Sequence, residues 1–300
     1  MTSGLTPRTW LRAALAGWGL MCLLALPAVA APTARSGVPA SAPGATPVGG
    51  ARRILSLGPS LTEMVCALGL GDRLVGRTRW CNQPPSVSRL PVVGAVGGWN
   101  EERVVSLRPD TILALEGEQG PVQRLARLTG ARLIVLPTLQ LADVGRNMRA
   151  IAEAAGVPER GARWANDLSQ GLALRRRRLP AAAGPTTVYL VWDEPLMLAG
   201  PHSYIGELIR LAGGTNPVSS RLPGPYPQFS WEGLLLADPE VLLAPEDRRR
   251  ALRRVATGYP RLRAVQRGRL HTLPDDLISR PGPRVLAALD ALTRLLQPVQ

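Results

Sequence analysis

Two glutamates, Glu102 and Glu232, occupy the same place in two copies of one block. The first copy runs from Asn100 through Glu102, Pro109 and Asp110 to Ala114. The second runs from Ser230 through Glu232, Pro239 and Glu240 to Ala244, an offset of 130 residues. Each copy has a capping residue, a glutamate two positions later, a short apolar turn, a proline, an acid, and then a run suited to a buried strand. A carboxylate on the first turn of a helix complements the helix N-terminus. Two of them, matched and turned outward, also make a pair of docking points. The chemistry this predicts is recognition rather than bond-making.

The other reactive side chains agree. His202 and His271 are far apart, and neither has a recognisable nucleophile partner. There is no Gly-x-Ser-x-Gly elbow, phosphate loop or dinucleotide fingerprint, so an enzyme is not expected. Cys66 and Cys81 make no zinc spacing with the histidines. The two thiols could pair in an oxidising compartment, or Cys66 could be a small core residue on a helix face.

The elements that must position these residues alternate. Arg53 to Leu57 reads as a strand leading into Gly58-Pro59. Ser60 and Glu63 then read as a capping box opening a helix. Further strands are predicted at 74–76, 111–115, 132–136, 188–192, 241–244 and 270–273. Helices are predicted across 122–128, 141–156, 159–178, 203–212, 246–255 and 283–296. Such alternation indicates parallel α/β packing. A second Gly-Pro turn, Gly200-Pro201, opens a helix as Gly58-Pro59 does. Two matched segments in the same order predict two related α/β lobes, 52–157 and 180–300, joined by one long helix over 158–179. A period of 130 residues is too long for a solenoid.

The first 30 residues read as a cleavable export signal. Arg8 and Arg12 make its basic region, 13–26 its apolar core, and Ala28-Val29-Ala30 its cleavage site. Cys22 lies inside the apolar core, not at its end, which argues against a lipid anchor. Residues 31–51 are Ala, Pro, Gly, Ser and Thr with little else, a flexible tether. The 36 basic residues are all arginine and, against 22 acidic residues, leave a formal net charge of +14. They are dispersed and not interleaved with aromatics, so nucleic-acid binding is not expected.

Taken in order, Ile54 to Glu63, Gly69 to Gly76 and Glu102 to Asp110 resemble the periplasmic solute-binding proteins of ABC importers for vitamin B12, iron-siderophores and haem. The resemblance covers about residues 52 to 297. Arg77 to Pro85 and the late Pro283-Arg284 pair favour the branch that carries cobalamin. The resemblance implies two α/β lobes with a ligand cleft between them, a periplasmic monomer, and delivery to an inner-membrane permease with its ATPase. It implies that Glu102 and Glu232 pair with permease arginines. It implies that Trp80, Trp192 and Tyr226 hold the corrin face, with Asp276 and Arg280 as polar contacts and Trp99 at the rim. No catalytic residue, resident metal or cofactor is implied. Val96, Leu115 and Leu277 stand where that branch can offer tryptophans. The less aromatic pocket leaves room for a corrinoid precursor, an iron-siderophore or haem.

Overall fold

The computed structural model describes residues 50–95, 98–117, 119–179 and 184–297. The predicted signal at 1–30, Cys22, the tether up to residue 49 and Val96 lie outside the described residues. Ala51 is buried and its amide donates to the Ala154 carbonyl at 2.8 Å, so the folded body begins by residue 50.

The first half is built from β1 (Ile54–Ser56), α1 (Pro59–Ala67), β2 (Leu74–Gly76), β3 (Gly94–Ala95), β4 (Gly98–Trp99), α2 (Glu101–Ser106), β5 (Thr111–Leu115), α3 (Gln119–Thr129), β6 (Arg132–Leu136) and α4 (Leu141–Ala154). The long helix α5 (Pro158–Arg177) follows. The second half comprises β7 (Thr187–Asp193), β8 (Leu196–Leu198), α6 (Tyr204–Leu211), α7 (Trp231–Ala237), β9 (Val241–Pro245), α8 (Arg249–Gly258), α9 (Arg263–Gln266), β10 (Leu270–Leu273), α10 (Asp275–Ile278) and α11 (Val285–Leu296). The molecule is therefore two α/β lobes, as expected.

The two sheets have one plan. The first runs β2-β1-β5-β6 and the second β8-β7-β9-β10. Thr111 pairs with Ile54, and Val241, 130 positions later, pairs with Thr187. The edge differs. β2 is parallel to β1, whereas β8 folds back on β7 as an antiparallel hairpin through Asp193-Glu194-Pro195. That hairpin, absent from the sequence prediction, separates β7 from the second Gly-Pro turn.

The duplication extends to backbone detail. Among the described residues only two non-glycines have positive φ: Arg108 at 43° and Asp238 at 37°. They are the same position in the two copies. A left-handed residue costs roughly 1 kcal/mol or more outside glycine, so its recurrence marks a turn the architecture requires. The acid two places on clamps the adjacent strand in both halves. Asp110 accepts from the Arg52 and Arg53 amides at 2.9 Å, and Glu240 accepts from the Thr186 amide at 3.1 Å.

Strand alternation feeds separate cores. Ile54, Leu113, Tyr189, Val241 and Leu243 enter one central cluster, with Met64, Met148, Tyr204 and Leu289. Their neighbours Leu55 and Ile112 enter a cluster private to the first lobe, and Val188 and Leu242 one private to the second. The central cluster draws on both lobes, so the apolar core is continuous between them. α5 packs one face inward through Gly161, Ala165 and Leu168. A Cβ at Gly161 would meet the Ala152 Cβ at 2.6 Å, so glycine there sets the close crossing of α4 and α5.

Candidate functional site

Three of the expected ligand-facing positions, Trp80, Asp276 and Arg280, are linked to one buried carboxylate through Arg280 and Arg284. Glu63 sits on α1 and is only 5% exposed. It makes no capping box: Gly58 is the N-cap of α1, Pro59 follows it, and no side chain caps the helix. Its carboxylate turns instead to the second lobe. It accepts from Arg284 Nε at 2.7 Å, from an Arg284 terminal nitrogen at 2.9 Å, and from Arg280 at 3.1 Å. The same Arg280 donates to Asn82 Oδ1 at 2.6 Å and to the Trp80 carbonyl at 3.1 Å. Arg280 thus fixes the loop that carries Trp80 rather than projecting freely. Arg284 reaches the Asp276 carbonyl at 2.5 Å and its carboxylate at 3.7 Å, which orients the short α10.

The loop of Trp80 is also tied from within. Thr62 Oγ1 donates to Ser56 Oγ at 2.8 Å and contacts Cys81 Sγ at 3.0 Å. Cys81 is buried and Cys66 half-buried. Both thiols are free, so the pairing alternative is not adopted. Burial, the Glu63 charge and Cys81 push the Cys66 thiol up.

Trp80 and Trp192 are left largely in water, at 59% and 46% exposed. Trp192 is the penultimate residue of β7, and its exposure shows that it is not a core residue. Its Nε1 donates to the Glu194 carbonyl at 2.9 Å, and the Arg248 guanidinium lies 3.7 Å from its ring centre. One face of that indole is thus covered by a cation. Trp99 is half-buried against the first lobe's private core.

Tyr226 packs against the central cluster from the loop before α7. Burial pushes its phenol up to about 12. Burial likewise raises Tyr189 and Tyr204, whose hydroxyls are enclosed without a completed hydrogen bond. All three phenols keep their protons across the working pH range and stand as donors. Leu115 closes β5 against Gly58, where a Cβ would meet its side chain at 2.9 Å. Leu115 and Leu277 are half-buried at the edge of the central cluster.

Glu102 and Glu232 lie elsewhere, exposed on the first turns of α2 and α7. Both predicted caps form: Asn100 accepts from the Arg103 amide at 2.8 Å, and Ser230 from the Gly233 amide at 2.9 Å. Neither glutamate has an ion pair among the described residues, whereas the adjacent Glu101 is held by Arg124 at 2.6 Å. No group of three metal-binding side chains occurs among the described residues.

Sequence reasoning missed Glu63, Arg284, Asn82 and Arg248. Arg284 stood inside the Pro283-Arg284 marker without an assigned role, and Glu63 was masked by a local capping pattern.

The model of the periplasmic binding protein family matches residues 54–277. The chain belongs to this family. Its members are the substrate-binding components of ABC importers, transport proteins rather than enzymes. This binding protein is 29% identical over 247 residues to the vitamin B12-binding protein of Photorhabdus laumondii, covering 81% of this chain and 87% of that one. Its fold matches the crystal structure of the periplasmic vitamin B12-binding protein of Vibrio cholerae with a TM-score of 0.71 and 29% identity, over 82% and 96% of the two chains. It also matches a periplasmic haem-binding protein from Roseiflexus with a TM-score of 0.72 and 26% identity, over 83% and 100%.

Proposed function

We propose that this binding protein captures a corrinoid, vitamin B12 or a near relative, in the periplasm between its two lobes. It then delivers the ligand unchanged to an inner-membrane permease. The observation that carries the reading is the exposure of Trp80 and Trp192. Each indole leaves flat area open for a broad ligand to cover, and the two come from opposite lobes at the positions the resemblance assigned to the corrin faces. Flat side chains suit a broad macrocycle because they cover area at little entropic cost. Tyr226 adds a third aromatic surface and Asp276 a polar group at the rim, while Arg280 acts by holding the Trp80 loop. The curated relatives that bind vitamin B12 support the same class.

Haem or an iron-siderophore is the second reading. It is favoured by aliphatic Leu115 and Leu277 in place of aromatics, and by the similarity to haem-binding structures. Protein purified from its native host separates the readings, since a corrin and a haem have different visible bands. A corrin spectrum in stoichiometric amount supports the first reading; a Soret band rejects it.

Docking rests on Glu102 and Glu232. Each is an unpaired, exposed carboxylate able to accept a guanidinium bidentately. Together they set the register of the docked complex. The lobes span 52–157 and 180–300 with α5 between them, and the shared core limits their relative motion.

A further inference from the structure

The two docking helices share more than their acids. In each copy the residue two places after the glutamate is a buried anchor: Val104 is 0% exposed and Leu234 1%. The next residue is apolar and turned out in both. Val105 is 43% exposed and Leu235 40%, and Leu236 beside it is 88% exposed. Glu102 and Val105 are three residues apart on a helix, as are Glu232 and Leu235, so each pair shares a face. The anchors fix the rotation of both helices, so the exposure of Val105 and Leu235 follows from the fold.

We propose that each acid belongs to a composite patch, Glu102 with Val105 and Glu232 with Leu235 and Leu236. The occupant is the ABC permease, presenting twice an arginine flanked by apolar side chains. This rests on the docking reading above. Charge complementarity selects a basic partner, because these carboxylates are unpaired acids on a chain of formal charge +14. Repetition at equivalent positions selects a partner that offers the same surface twice. Apolar groups beside an ion pair exclude water and strengthen it, as the near-neutral ring around an interface hot spot does. The second patch carries the additional Leu236 and is the stronger contact.

The test uses the mature protein and its host's permease in lipid nanodiscs. Affinity is measured for the parent, Val105→Ser, Leu236→Ser, Leu235→Ser with Leu236→Ser, and Glu102→Ala with Glu232→Ala. Leu236 is too exposed to carry the fold, and unchanged melting temperatures verify this for each variant. The double leucine variant is expected to weaken permease binding roughly tenfold, and Val105→Ser less. Wild-type affinity in the serine variants, with loss in the glutamate variant, overturns the composite patch and leaves docking intact. Wild-type affinity in all of them overturns both. A concentration-dependent dimer of the parent that the leucine variant abolishes shows a second copy on the patch, and also overturns the proposal.

Discussion

Glu63 and Arg284 are joined by two hydrogen bonds, 2.7 and 2.9 Å long, although 221 residues separate them. Arg280 completes the cluster and passes its remaining donors to Asn82 and the Trp80 carbonyl. One carboxylate on α1 thereby braces the C-terminal segment and, through it, the loop of an expected ligand residue. The arginine side chains are 15% and 31% exposed, so the cluster is largely withdrawn from water.

Replacing Glu63 leaves two guanidinium groups without their acceptor. Glu63→Ala is expected to cost about 3 kcal/mol of stability and to weaken ligand binding by loosening Trp80. Urea denaturation reads the first effect and calorimetry the second. A midpoint equal to the parent's would contradict the bracing role.

Glu240 gives the pH prediction. The Thr186 amide, with Arg267 and Arg263 assisting against some desolvation, holds its carboxyl below the usual range. A lowered native pKa contributes stability that is present above the unfolded value of about 4.3. That stability is lost as pH falls through the native value. Glu240→Gln should therefore lower stability at pH 7, and the gap to the parent should narrow as pH falls through the native value. Urea midpoints followed from pH 7 down through the acid range decide it. A gap that stays constant throughout would mean that charge plays no part.

Those two acids also show where local reading ends. Strands at 111–115, 132–136 and 270–273 were legible to the residue, because short apolar runs between turn signals have few alternatives. The matched blocks were legible too, and the clamp made by Asp110 and Glu240 follows from them. Glu63 was not. Ser60 and Glu63 fit a capping box by spacing, but Pro59 starts the helix two residues earlier and the arginines that claim the carboxylate arrive from the far end of the chain. The β7–β8 hairpin was missed because Asp193-Glu194-Pro195 lacks the Asn-Gly or Asp-Gly signal of a tight turn. The helix predicted from residue 246 begins at Arg249, after a 3-10 turn at Glu246–Arg248.

Export predicts the mature N-terminus. Intact-mass measurement on the periplasmic fraction should place it near Ala31. Protein still carrying Met1 there would refute a cleaved signal.

Docking predicts a separation of functions. Glu102→Ala combined with Glu232→Ala should abolish uptake while ligand affinity stays within about twofold of the parent, since exposed substitutions away from the site have small effects. A large drop in affinity in that variant would place the acids in the ligand site instead.

The ligand itself is the central claim. Titrating the mature protein with cyanocobalamin and cobinamide by calorimetry should give one corrinoid per chain. Trp80→Ala or Tyr226→Ala should weaken it by roughly thirtyfold, about 2 kcal/mol for a buried aromatic contact. Heat-silent titrations of both corrinoids at tens of micromolar, beside tight binding of haem or an iron-siderophore, would contradict the account and leave only the family.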